Sequence, residues 1–195
     1  MAMTGFEKQF VNRRQKAERN IANVSTRLEQ LDISNINDVL EIGSGVGFVS
    51  AWLVETYGMN VYGTDFDPDQ VITAQELHPE SEHLHFGVED ASNLSFTDSS
   101  FDLVLSQNVF HHIPDWKRAV REVRRVLRPE GYFIWYDLVF PKFVKGLFQP
   151  FVSNYGLYTF DDIQSEFVNN GFLELFHERV AHGPFTHHHY VLQKD

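Results

Sequence analysis

From about residue 36 onward, short β-branched runs alternate with segments whose apolar positions recur at helical spacing. Such alternation predicts strands interleaved with helices, an α/β fold with a parallel sheet. Val39-Leu40-Glu41-Ile42 is the first predicted strand, followed by a glycine loop and a helix through Val49 to Val54. Asn60 to Asp65 is the second strand. A helix then starts with Asp67 as N-cap, Pro68 in the first helical position and Gln70 in the capping-box position. His83 to Val88 and Phe101 to Ser106 give the third and fourth strands. Trp116, Ala119, Val120, Val123 and Leu127 follow a helical stripe that Arg128-Pro129-Glu130-Gly131 ends, and Tyr132 to Leu138 makes the fifth strand. The arginines from Arg121 to Arg128 are expected on a solvated face. Thr159 caps a further helix that Gly171 ends. Phe172 to Ala181 and Phe185 to Gln193 then form an antiparallel pair turning through His182-Gly183-Pro184. Residues 1–35 read as a polar helical lead-in with early apolar contacts at Phe6, Phe10 and Val11. No repeat or linker divides the chain, so a single domain over 1–195 is expected.

The segment that carries chemistry is Glu41-Ile42-Gly43-Ser44-Gly45-Val46-Gly47, between the first strand and its helix. Glycines belong where the backbone turns sharply and a ligand lies close against it. A dinucleotide loop of the GxGxxG type would place its third glycine at position 48, but that residue is Phe48. The spacing is GxGxG, with a carboxylate two residues before it. A carboxylate there disfavours a pyrophosphate and favours a ligand bearing an amine and a sulfonium, which points to S-adenosylmethionine over NAD. Asp65 ends the second strand, where an acid can accept both ribose hydroxyls of an adenosine cofactor. Phe66 follows and can pack on adenine. Asp90, in Val88-Glu89-Asp90-Ala91 at the end of the third strand, can accept the exocyclic adenine amine. Three acids at successive strand ends, with the loop, are far more specific than the loop alone.

With these residues the chain resembles the class I S-adenosylmethionine-dependent methyltransferases. It is close to their small-molecule branch (methyltransferase type 11), which includes quinone-biosynthesis enzymes. The resemblance rests on Val39 to Gly47, Tyr62-Gly63-Thr64-Asp65, Glu89-Asp90-Ala91, Ser100-Phe101-Asp102-Leu103-Val104 and Leu127-Arg128-Pro129-Glu130-Gly131-Tyr132. It runs in order from about residue 37 to 138. It implies a Rossmann-like three-layer sandwich whose seven-stranded, mostly parallel sheet has the order 3-2-1-4-5-7-6, strand 7 antiparallel. It also implies that Gly43, Gly45 and Gly47 shape the loop under the methionine part, with Glu41 reaching its amine. Asp65 would hold the ribose, Asp90 and the Ala91 backbone the adenine, and Gln107 would stand beside the methionine moiety. The cleft is then at the carboxyl ends of strands one and four.

Composition narrows the rest. Sixteen basic against twenty-seven acidic residues give a net charge of −11, so nucleic acid is not an expected partner. The absence of cysteine removes disulfides, thiolate metal sites and any methyl transfer through a cysteine nucleophile. No signal-like N-terminus or bilayer-length apolar run is read, so a cytoplasmic location without stable membrane insertion is expected.

Methyl transfer is an in-line displacement on an activated donor, which mainly requires alignment and exclusion of water. Where the acceptor loses a proton, His111, His112 and Tyr136 are the candidate bases. A structural reading of the histidines has one packing inward and the other capping the helix at Pro114. Ser106-Gln107-Asn108-Val109 stands where amino methyltransferases of adenine or glutamine carry an Asn/Asp-Pro-Pro-aromatic motif. A small, partly apolar acceptor is therefore expected. No metal site is expected: in His187-His188-His189 only the outer two share a strand face, and an exposed or cleft-edge strand is the simpler reading. The aromatic-rich stretch 139–158 is either an apolar lid or a completion of the core. A non-catalytic protein that binds S-adenosylmethionine or S-adenosylhomocysteine is the rival reading, and an NAD oxidoreductase a weaker one.

Overall fold

The computed structural model describes residues 5–79, 81–148, 155–182 and 185–195, and nothing of the side chains of residues 5–13, 148, 181, 182 and 185. The expected contacts of Phe6, Phe10 and Val11, the centre of the 139–158 stretch and the Gly183-Pro184 turn fall outside that description. The strands are Asp38–Ile42 (β1), Asn60–Asp65 (β2), Leu84–Val88 (β3), Phe101–Gln107 (β4), Leu127–Val139 (β5), Phe172–His182 (β6) and Phe185–Lys194 (β7). The helices are Gly5–Leu28 (α1), Phe48–Tyr57 (α2), Pro68–Leu77 (α3), Trp116–Val126 (α4), Lys142–Phe148 (α5) and Phe160–Asn169 (α6). One sheet runs β3-β2-β1-β4-β5-β7-β6. The pairs from β3 through β5 are parallel, and β7 is antiparallel to both neighbours. This is the order and the antiparallel seventh strand that the resemblance implies.

Strand alternation sends successive side chains to opposite faces, and both faces are buried, as parallel sheets require. Leu40, Val104, Phe133 and Trp135 face one side and meet Val120 and Val123 of α4 and Ile163 and Phe167 of α6. Val39, Val61, Leu105 and Ile134 face the other and meet Val24 and Leu28 of α1, Leu53 of α2 and Val71 of α3. Three layers result. Among the described residues no helix is long and apolar enough to cross a membrane.

Several local expectations are corrected. Asp67 caps α3 by accepting from the Asp69 N–H, with Pro68 in the first turn, but no capping box forms. The Gln70 amide oxygen instead faces Gly45 in the glycine loop. α4 ends at Val126, just before Leu127, and Arg128-Pro129-Glu130-Gly131 is strand rather than a break between helix and strand. It is the opening of β5, joined to β4 through a register shift, with Glu130 at φ 63°. The basic face of α4 is not simply solvated. Arg125 donates to the carbonyls of Leu94 and Phe96 at 3.0 and 2.7 Å and pairs with Glu122 and Asp98, while Glu122 accepts the Leu94 N–H. These bonds clamp the loop that follows β3. Asp102 is structural: it accepts the N–H groups of Asn37 and Asp38 and pairs with Arg128 at the end of the sheet away from the strand carboxyl ends. Finally, β7 is neither exposed nor at a cleft edge, because β6 extends the sheet beyond it. His188 and His189 are buried there, and His188 stacks on His177.

Candidate functional site

A cleft of about 940 Å³ opens at the carboxyl ends of β1, β2 and β4. A parallel sheet whose strand order reverses between β1 and β4 leaves a crevice there, because the connecting helices run to opposite sides. Eight of the nine residues expected around a cofactor line it: Glu41, Gly43, Gly45, Asp65, Phe66, Asp90, Ala91 and Gln107.

The glycine loop is held by its own chemistry. The N–H groups of Gly43 and Ser44 both donate to the Thr64 carbonyl, which ties the loop to the end of β2. Gly43, Gly45 and Gly47 all have positive φ, at 73°, 55° and 82°. Gly47, the ninth residue, does not line the cleft. A Cβ there would lie 2.5 Å from the Phe86 ring, so this glycine lets the loop pack on β3. Asp65 accepts the Gly45 N–H at 2.9 Å through one oxygen and the Asp67 N–H at 3.0 Å through the other. Asp90 closes a turn by accepting from the N–H and hydroxyl of Ser92 through Oδ1. Phe66 is 76% exposed, a large ring left open on the cleft wall.

Two observations bear on what fits. Gln107 is only 8% exposed, yet neither its amide nitrogen nor its oxygen has a partner, and the Ser44 hydroxyl is likewise buried and unpaired. Buried polar groups are rarely left so, and a ligand that bonds them would remove a cost of about 1–3 kcal/mol each. The lining also carries six carboxylates (Glu41, Asp65, Asp67, Glu89, Asp90, Asp115) against one lysine, Lys16. That field suits a cationic adenosine ligand and repels a pyrophosphate. Glu41 is buried and accepts the Ser50 hydroxyl. Burial pushes its pKa up to about 7, against the lowering effect of Ser50 and with a further push from Asp65.

The candidate bases separate. His112 lines the cleft; His111 lies behind it, its Nδ1 bonded to the fully buried Asp137. The ring of Tyr136 is packed against His187 and His189, at centroid distances of 5.2 and 3.9 Å, and is not part of the cleft lining. Neither histidine caps the helix near Pro114, because Asp115 does so by accepting the Arg118 N–H. Sequence reasoning missed Asp137, whose signal is a lone acid inside the apolar run Tyr132–Val139. It also missed Lys16, Ala17 and Asn20 of α1, which wall the cleft and which nothing in the local pattern ties to β1. Of the aromatic stretch, Tyr158 is buried in the core whereas Phe143 and Leu147 of α5 are exposed, so the segment is only partly core.

Residues 40–135 match the model of a methyltransferase domain family. A 2-methyl-6-phytyl-1,4-hydroquinone methyltransferase of Synechocystis is 41% identical over 99 residues, covering 51% of this chain and 31% of that protein. The chain spans 31% to 42% of the length of the curated relatives it matches. The PH0226 protein of Pyrococcus horikoshii superposes with a TM-score of 0.73 at 25% identity, over 93% of this chain and 92% of that one. A Haemonchus contortus phospholethanolamine N-methyltransferase 2, in complex with phosphomonomethylethanolamine and S-adenosylhomocysteine, shares the fold. Its TM-score is 0.74 at 16% identity, over 89% of this chain and 52% of that one.

Proposed function

We propose that this chain, whose residues 40–135 match the model of a methyltransferase domain family, is an S-adenosylmethionine-dependent methyltransferase whose cleft binds that donor and directs its methyl group to a small, partly apolar acceptor. The observation that carries the reading is the convergence of the strand-end acids, the glycine loop and the unpaired Gln107 amide on one acid-lined cleft. Gly43 and Gly45 shape its floor, while Gly47 seats the loop against Phe86. Glu41 faces the ammonium, Asp65 the ribose hydroxyls, Phe66, Asp90 and Ala91 the adenine, and Gln107 the methionine moiety. The donor supplies a methyl group already activated on a sulfonium. The chain's own work is therefore to orient the acceptor and keep water out. Ala17, Val109, Ile113 and Pro114 give the remaining wall an apolar surface. The exposed apolar side chains of Phe143 and Leu147 support reading the segment 139–158 as an apolar lid within a single domain.

The test is incubation with methyl-labelled donor and a panel of small phenols, amines, thiols and thioethers, with small phenols first because of the hydroquinone in the Synechocystis relative's name. Label in an extracted product, with equimolar S-adenosylhomocysteine, supports the reading. Tight binding without transfer to any member overturns methyl transfer and leaves a binding protein.

Glu41 gives a pH signature. Its folded pKa of about 7 lies above the usual 4.5, so between those values the folded chain holds a proton that the unfolded chain has lost. Its contribution to stability is full below about 4.5 and falls by roughly 3 kcal/mol as pH rises to about 7. An ammonium beside it reverses the preference, so donor binding at pH 6.5 releases a proton. Calorimetric heats that depend on the buffer's ionisation enthalpy in the wild type, and not in Glu41→Gln, are the expected result. Equal dependence in both proteins would place the ammonium elsewhere.

A further inference from the structure

One line of side chains leads from the core to the cleft and is not explained by holding the donor. Asp137, with no exposed surface, directly follows Tyr136, the last residue of β5 that pairs with β4. Its Oδ2 accepts the N–H groups of Val109 and His111 at 3.0 and 3.3 Å, and its Oδ1 is bonded to His111 Nδ1. An oxygen pair already accepting three backbone N–H groups, that of Leu138 included, acts as the acceptor toward the ring too, which fixes the proton of His111 on Nδ1. The imidazole of His111 lies 4.0 Å from that of His112, centroid to centroid, and His112 is 5.6 Å from the Tyr155 ring. Gly156 secures the other side. Its N–H donates to the His111 carbonyl at 3.1 Å, and a Cβ there would come within 2.6 Å of the Phe110 and Ile113 carbonyls. The loop that presents His112 is thus pinned from β5 and from the far end of the 139–158 segment. A merely structural histidine needs no such support on a cleft wall.

We propose that His112 takes a proton from the methyl acceptor, held for that task by the Asp137–His111 pair, and hence that the acceptor is a nucleophile bearing an O–H or N–H. The inference rests on the donor site proposed above. The acceptor's heteroatom forms the new bond to the methyl carbon as the carbon–sulfur bond breaks, with that bond's electron pair staying on sulfur. The positive charge leaves with the acceptor's proton on the His112 imidazole, which later passes it to water. Thioethers and tertiary amines have no such proton and would gain nothing from the arrangement. The groups facing His112 are Lys16 from α1, His111 beside it, Asp137 behind it, and Asp115 and Tyr155 at the rim. Burial, then His111, hold the ring below the usual histidine range against the opposing pull of Asp137, and Lys16 adds to the lowering. The ring is therefore neutral and able to accept a proton at neutral pH. Asp137 and His111 are positioning residues; His112 alone meets the acceptor.

Two readouts test this. In the first, 15N NMR of histidine-labelled protein follows the His112 ring without any acceptor. The ring is expected to be neutral at pH 7 and to titrate below the usual range, with its titration shifted in Asp137→Asn. An imidazolium at pH 7, or a titration that Asp137→Asn does not move, overturns the assignment. In the second, S-adenosylhomocysteine release is measured for 4-methylphenol, 4-methylaniline, thioanisole and N,N-dimethylaniline against pH. The phenol or aniline should turn over, with kcat falling in acid as His112 protonates. His112→Gln should lower kcat by about 100-fold or more, flatten that limb and leave KM nearly unchanged. Comparable turnover of thioanisole or dimethylaniline, an unaffected His112→Gln, or no turnover of any member by protein that binds the donor overturns the proposal and leaves the donor site standing. Failure to bind the donor at all would instead sink the proposed function.

Discussion

Replacing Asp65 with alanine is expected to weaken S-adenosylmethionine binding by at least about 100-fold while leaving the fold intact. Two ribose hydroxyls donated to one carboxylate are charge-assisted bonds worth about 1.5–3 kcal/mol each, so losing both costs two or more powers of ten. Asp65 also accepts the Gly45 N–H, so its removal loosens the loop that the ligand needs. The residue stands at the cleft end of β2 rather than in either core cluster, which is why unfolding curves should barely move. Asp65→Asn keeps the size and one acceptor oxygen but loses the charge, and should fall between. Wild-type affinity in Asp65→Ala would reduce Asp65 to a turn acid serving Asp67.

The second large effect is on stability. Gly43→Ala places a Cβ 2.2 Å from Val109 Cγ2 at a backbone φ of +73°. The left-handed conformation alone costs about 1–2 kcal/mol for a residue with a Cβ, and overpacking typically adds about 1–3 kcal/mol. The variant is therefore expected to lose roughly 3 kcal/mol in chemical denaturation. Adding Val109→Ala should return the steric part and leave the backbone part. Gly45→Ala is the control: its nearest neighbour would be the Gln70 amide oxygen at 3.8 Å, so it should lose only the conformational part. Equal losses at positions 43 and 45 would mean that the contact with Val109 does not shape the loop.

These two residues also show what a sequence can display. Gly43 and Asp65 are legible because a turn against a ligand and an acid at a strand end each demand one residue type at one place in a strand–loop–helix pattern. The parallel strands were equally plain, since runs such as Leu103-Val104-Leu105 must be buried on both faces. Asp137 was not legible, because nothing local distinguishes a buried acid that receives four N–H donors from an acid on an exposed strand face. Its meaning depends on a loop 26 and 28 residues away in sequence. Tyr136 misled for the same reason. It is one residue from Asp137, but alternation turns it to the opposite face, against His187 and His189. Arg125 looked solvated because its partners, Leu94, Phe96 and Asp98, belong to a loop that only the fold brings beneath it. Gly47 was right as a loop glycine for a different cause: it answers to the Phe86 ring rather than to a ligand.

The most direct test of the central claim is calorimetric titration of the wild-type protein with S-adenosylmethionine and, separately, with NADH. A cleft lined by six carboxylates and one lysine, with an unpaired Gln107 amide, predicts saturable one-to-one binding of S-adenosylmethionine and no heat with NADH. Binding of NADH, or no binding of S-adenosylmethionine by protein that unfolds cooperatively, would contradict it.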